Sequence, residues 1–313
     1  MNLSHADKQT TTGVQFPTYG DLLAMLGIFF AVQIAVTLIG SLVLLFSGQG
    51  VIDLEPHELG RFLAASSLLS CTATALIIWR YRRWRKAPKI RIPLRFSGLN
   101  PLLVGWCYLL MMAASVALEP LYELLPAPHQ DFGRGVWAFM AVVVIAPLLE
   151  EWICRGQIFG SLRTRYGVVR SLLLSALIFG LMHVQPVPVL NAFVLGLVLG
   201  FIYHKTNTLL SSILLHALYN GTAYALTVAG YGESSFSEFF GTHRTLYLLF
   251  YGVALVLLIV SLAAIWRMVT APEVVAVPAE ASDVAPETSS VELLPADESG
   301  EKSLEKEENH IEK

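Results

Sequence analysis

Apolar runs recur along this chain at the length needed to cross a lipid bilayer, and that repetition constrains its fold more than any other feature. A hydrocarbon core about 30 Å thick takes about 20 residues of helix. Residues 22–46, 62–79, 101–118, 209–228 and 246–266 provide such runs without an Asp, Glu, Lys or Arg. Three more, 136–160, 171–185 and 187–203, are apolar but interrupted by charges, His or Pro. That is the pattern of helices lining a polar interior. Backbone groups in lipid must be satisfied within the segment, so the expected fold is all-α, a polytopic transmembrane bundle of about eight helices. With 55% hydrophobic and only 14% charged residues among 313, a soluble globular enzyme is excluded.

Charge sets the expected organisation. Residues 271–313 hold 12 acids and 3 bases with no aromatic side chain, so they read as a disordered acidic cytoplasmic tail. The remainder divides into a polar N-terminal segment 1–20, N-terminal transmembrane helices in 21–130, a core in 131–230 where the chemistry-bearing residues gather, and a last loop and helix in 231–270. Eight bases fall between Arg80 and Arg95. Basic short loops stay on the cytoplasmic side. That places the basic loop 80–95 inside, with Arg163, Arg165, Arg170, Lys205 and Arg267, and the acidic loop at Asp53, Glu55 and Glu58 outside. Both termini are then cytoplasmic. The first apolar run is too long for a signal-peptide core and has no small-residue cleavage signal, so it is expected to be retained. The expected localisation is integral and multi-pass, in the plasma membrane if the source is bacterial. Membrane lipids are the expected surroundings, and nucleic acid is not an expected partner.

Polar residues capable of chemistry cluster in three short patterns: Glu150-Glu151-Trp-Ile-Cys-Arg155, Phe179-Gly-Leu-Met-His183 and His216-Ala-Leu-Tyr-Asn220. Arg155 stands four residues after Glu151, on the same helix face, while Glu150 points about 100° away. Glu151 and Arg155 therefore read as a structural ion pair, and Glu150 as the carboxylate free to take a proton from water. Pro147 should kink this helix and release the carbonyl of Val143. If Gly167 is the turn of a helical hairpin, Glu150 lies 17 residues before it and His183 lies 16 after, at nearly equal depth. The match is weaker for His216, which lies closer to its own preceding turn near Lys205 to Asn207 and depends on helix tilt. His216 and Asn220 share a face at i, i+4 and can present an imidazole and an amide to one carbonyl.

These residues permit two routes to water attack on an amide. In one, a divalent metal such as zinc sits at Glu150, His183 and His216 and lowers the pKa of bound water. In the other, no cofactor is required: Glu150, assisted by His183, is the general base, and His216 and Asn220 hold the oxyanion. His57-Glu58-Leu-Gly-Arg61 lacks the second His of a zincin motif. Cys154, beside the acidic pair, is a possible nucleophile, although a lone Cys in an apolar run more simply fills space. Gly196 and Gly200 form a small-xxx-small pattern, read as a helix-packing face. Three cysteines without a CxxC pair suggest no disulfide framework.

The three motifs, EExxxR, FxxxH and HxxxN in this order on multi-pass helices, resemble the CPBP family of CAAX proteases and bacteriocin-processing proteins, also called Abi, which includes the type II CAAX prenyl endopeptidases. The likeness spans about residues 136–225. It implies an intramembrane endopeptidase, glutamate-dependent or metalloprotease, with Glu150, His183, His216 and Asn220 at the site and a protein or lipidated peptide as substrate. CAAX-type C-terminal processing holds for only part of that family. The competing expectations are a noncatalytic membrane immunity or scaffold protein of the same fold, and a proton-coupled transporter, the latter disfavoured by the absence of inverted repeats.

Overall fold

The computed structural model describes residues 15–126, 133–231 and 236–270. Internal contacts divide the chain into two units, Met1–Ala271 and Pro272–Lys313. The expected acidic tail 271–313 lies outside the described residues, as do residues 1–14 of the expected N-terminal segment. The described residues form helices and no strand. In chain order these are α1 (Tyr19–Phe46), α2 (Pro56–Trp84), α3 (Pro101–Ala117), a short α4 (Glu119–Tyr122), α5 (Val136–Phe139), α6 (Ala146–Glu151), α7 (Gly160–Leu181), α8 (Pro186–Thr206), α9 (Leu209–Val228), a short α10 (Phe236–Phe240) and α11 (Arg244–Thr270). Two π-helical stretches, Met140–Ile145 and Trp152–Phe159, join α5 to α6 and α6 to α7.

Local sequence sets several helix starts. Thr18 caps α1, with the Asp21 amide donating to Thr18 Oγ1 at 3.1 Å and the Thr18 amide donating to Asp21 Oδ2 at 2.8 Å. Pro56, Pro101 and Pro186 open their helices, where a missing N–H costs nothing. Gly167 interrupts α7 with φ +73°, a conformation that glycine adopts without strain. The chain folds back there: Ser175 Oγ donates to the Cys154 carbonyl at 3.1 Å, and the Arg155 guanidinium lies over the Phe179 ring. Those pairings centre on the glycine and make the hairpin.

Five stretches are long and apolar enough to cross a membrane: Tyr19–Phe46, Pro56–Trp84, Val136–Leu181, Pro186–Thr206 and Arg244–Thr270. At 17 residues, α3 is shorter. The run at 209–228, expected as a clear span, is not among the five: α9 carries Ser211, Ser212, His216, Tyr219 and Asn220 and faces neighbouring helices with them.

Contacts fix which helix ends lie together. Asp21 accepts from Tyr81 Oη at 2.6 Å and from Arg85 Nε at 2.7 Å, so the start of α1 meets the end of α2. Tyr19 stacks on Tyr166 with ring centroids 5.5 Å apart, bringing the Gly167 turn to that same end. The Leu209 amide donates to the Pro93 carbonyl at 2.8 Å, adding the α8–α9 turn. At the opposite end, Tyr224 Oη donates to the Gly135 carbonyl at 3.0 Å, and the Arg134 amide to the Pro56 carbonyl at 2.9 Å. The Gly167 turn divides the stretch from α5 to α7 into two antiparallel arms, so that eight helical arms alternate in direction among the described residues.

The core lies where α7 and α8 meet. Gly180 and Gly196 allow this approach: a Cβ on Gly180 would stand 2.8 Å from the Val189 carbonyl, and one on Gly196 3.0 Å from Ala176 Cα. Phe179, Leu195, Leu199 and Ile202 fill the space around them.

Candidate active site

The first motif lies on α6 and the π-helical turn after it. Arg155 and Glu151 are fully buried and form an ion pair of 2.9 Å. A guanidinium without solvent costs several kcal/mol unless its charge and its N–H groups are answered. Here Nη1 meets Glu151, Nη2 donates to the Gly196 carbonyl at 3.0 Å, and the planar group lies 4.4 Å from the Phe179 ring centroid, while Nε has no hydrogen-bond partner among the described residues. Gly196 thus has a second role besides packing, since only a close α8 backbone can offer its carbonyl to Arg155.

Glu151 Oε1 is shared. It also lies 3.1 Å from Nδ1 of the buried His216, which reaches across from α9. With Nδ1–H donating to that carboxylate, His216 Nε2 faces the other way, 3.9 Å from Glu150 Oε2. Glu150 keeps 19% of its side-chain surface accessible and makes no hydrogen bond among the described residues. The two adjacent carboxylates therefore occupy different environments, one held between a guanidinium and an imidazole and one partly open.

His183 sits at the end of α7. Its Nδ1 is 2.9 Å from the Phe179 carbonyl, so Nδ1–H donation leaves the Nε2 lone pair available. The Phe179 ring stands edge-on to both imidazoles, 5.2 Å from His183 and 5.5 Å from His216. One aromatic ring thereby spaces the second and third motifs and covers Arg155. Glu150 and His183 make no hydrogen bond or ion pair with each other.

Asn220 donates through Nδ2 to the Val142 carbonyl at 2.9 Å. The expected release of the Val143 carbonyl by Pro147 is displaced by one residue. In a π-helical ladder the carbonyl of residue i accepts from residue i+5, so the residue lacking its donor is Val142, five before the proline. Asn220 supplies that donor and retains a second N–H.

Depth is reconciled by where the turns lie. Asn207 lines one surface cleft with Gly160, Arg163 and Thr164, so the α8–α9 turn is level with a point near the end of that arm but short of Gly167. His216 then reaches the height of Glu151 after fewer residues.

A metal would need Glu150, His183 and His216 to converge, and they do not fit as a ligand set. Among the described residues no three His, Cys, Asp or Glu side chains are grouped closely enough to hold an ion. Cys154 is fully buried with Sγ 3.6 Å from Met182 Sδ, packed in the core.

Sequence reasoning gave no role to Phe179 beyond its place in a motif, although its i, i+4 spacing to His183 puts both on one face. It also passed over Asn191 of α8, which accepts from Ser115 Oγ at 3.1 Å and Tyr122 Oη at 3.0 Å and donates to Tyr219 Oη at 3.0 Å. That knot braces α9 next to Asn220.

Residues 132–222 match the family described as type II CAAX prenyl endopeptidase Rce1-like. The matched stretch contains all three motifs. Comparison with curated proteins and with solved structures gives no match.

Proposed function

Since residues 132–222 match the type II CAAX prenyl endopeptidase Rce1-like family, we propose that this chain is an integral membrane endopeptidase of the CPBP and CAAX protease kind and hydrolyses a peptide bond with water activated by Glu150. The observation that carries this reading is the asymmetry of the acidic pair. Glu151 is held by Arg155 and His216, whereas Glu150 is partly open and has no hydrogen bond among the described residues.

The proposed sequence of events uses this chain's own groups. Glu150 takes a proton from water, with the His183 Nε2 lone pair as a second acceptor for that water. The resulting hydroxide adds to the scissile carbonyl carbon. The oxyanion that forms is met by the second Nδ2–H of Asn220 and by His216, which offers a proton at Nε2 in its imidazolium form. Collapse expels the amine, which receives the proton that Glu150 took. Glu151 and Arg155 orient His216 and do not touch the substrate. The substrate class that the family supports is a CAAX-type C-terminal segment of a protein or lipidated peptide.

The test uses the full chain in detergent with a library of lipidated C-terminal peptides, read by mass spectrometry. Glu150→Gln, which preserves shape and removes the base, should lower cleavage by about a hundredfold or more. Undiminished cleavage by that variant would overturn the mechanism.

A further inference from the structure

One end of the bundle carries a feature that peptide hydrolysis does not use. A cleft of about 400 Å³ is lined by Lys89, Arg91 and Arg95 from the segment after α2, by Gly160 and Arg163 from α7, and by Asn207 from the α8–α9 turn. Four cations share it. No carboxylate lies within ion-pair distance of any of them among the described residues, although Arg85, Arg155 and His216 elsewhere all have acidic partners. Like charges gathered around one cavity repel, and an anion relieves that cost.

The cleft has a fixed backbone. Thr208 Oγ1 accepts from the Arg95 amide at 3.1 Å and donates to the Arg95 carbonyl at 2.7 Å, and the Leu209 amide holds the Pro93 carbonyl at 2.8 Å. Ile90 and Ile92 turn inward, within contact of the Cβ positions at Gly160 and Gly156, so the segment is stapled by its apolar residues along the start of α7 and the π-helical stretch before it. Asn207 is held in the left-handed conformation at φ +47°. The cationic side chains thus project from an anchored rim.

Position identifies the anion's source. All lining residues fall at the ends of α2, α8 and the first arm of the Gly167 hairpin, where apolar helices give way to polar connections. Trp84 and Phe96 are exposed at that same end. Exposed aromatic residues beside bases at helix ends mark headgroup depth. From the number of cations, their lack of an acidic partner among the described residues, and depth together, we propose that this cleft binds the phosphate of an anionic phospholipid headgroup. The proposal does not depend on the peptidase reading.

Native mass spectrometry of the full chain, released from detergent with phosphatidylglycerol or phosphatidylcholine, tests it. Wild type should retain phosphatidylglycerol selectively. Arg91→Gln/Arg163→Gln should weaken that binding about thirtyfold, the loss expected for two bases at an anionic headgroup. Arg80→Gln/Arg170→Gln, which removes the same charge outside the cleft, should bind as wild type does, and Arg91→Lys/Arg163→Lys should keep the selectivity. Should the first variant fail to fold, Lys89→Gln/Arg95→Gln carries the same expectation. Equal losses in the cleft and control variants, or no preference for the anionic lipid, would overturn the proposal. A third arm uses inorganic phosphate: binding of phosphate with the same variant dependence and none of the lipid would make this a soluble-anion site and sink the headgroup assignment.

Discussion

At the scale of single residues, the centre of this protein is a buried charge relay in which no member can be removed alone. Arg155 has no solvent, so Glu151→Gln would leave a guanidinium facing a neutral amide in the core. Breaking a buried pair by removing one partner costs about 3–5 kcal/mol, while replacing both partners with apolar groups costs far less. Glu151→Gln should therefore lower the melting temperature in detergent markedly, and Glu151→Leu/Arg155→Met should recover most of it. Equal melting of single and double variants would show that the pair is not carrying that energy. Cleavage should stay low in both, because His216 Nδ1 loses its carboxylate partner. The Glu151–Arg155 contact was legible from i, i+4 spacing. The partner of Asn220 was not, since it depends on a π-helical register that shifts the orphan carbonyl from Val143 to Val142. Nor was the full role of Phe179: its spacing to His183 is visible in sequence, but its ring contacts to Arg155 and His216 come from elements that no spacing rule joins to it.

At the scale of elements, close approach of α7 and α8 decides whether the relay can form. The small-xxx-small pattern predicted a packing face, and its two glycines differ in what they face. A Cβ at Gly196 would meet Ala176 Cα at 3.0 Å and Ala176 Cβ at 3.1 Å, atoms that move only with the α7 backbone. At Gly200 the new atom meets Leu172 Cδ2 at 2.8 Å, the far end of a side chain that can change rotamer. Overpacking costs about 1–3 kcal/mol, and Ala regains about 1 kcal/mol of helix propensity. Gly196→Ala should accordingly destabilise by up to about 2 kcal/mol and Gly200→Ala should be near neutral, as measured by thermal unfolding of each variant. Gly196→Ala should also reduce cleavage, since pushing α8 outward withdraws the carbonyl that holds Arg155 Nη2. The Gly167 hairpin was readable because a glycine between two apolar arms can take the positive φ a reversal needs. The height of His216 was not readable, because residue counting assumes straight helices and turns at one level. The π-helical stretches and the shallow α8–α9 turn break both assumptions.

At the scale of the whole described bundle, the two ends differ in charge, and that difference predicts orientation. The end that holds Tyr19, Trp84, the Gly167 turn and Asn207 carries Arg80 to Arg95, Arg163, Arg165, Arg170 and Lys205, with Asp21 engaged by Arg85. The other end carries Asp53, Glu55, Glu58, Glu119, Glu123 and Glu238 against Arg61, Arg134 and Arg244. Contacts at each end assign these groups independently of any hydropathy count: the Ser237 amide donates to Glu119 Oε1 at 2.8 Å, and Tyr251 Oη to the Ala117 carbonyl at 3.1 Å. Short basic connections are held on the cytoplasmic side during insertion. Eight alternating passes then put the start of α1 and the end of α11 on that side together. Cysteine labelling reads this directly, because Cys71, Cys107 and Cys154 are all buried and leave a silent background. A membrane-impermeant maleimide added to intact cells should modify Ser47→Cys, at the exposed end of α1, and should reach Ser97→Cys, in the exposed turn before α3, only after permeabilisation. The reverse pattern would invert the bundle and place the basic cleft, with any headgroup it holds, in the outer leaflet.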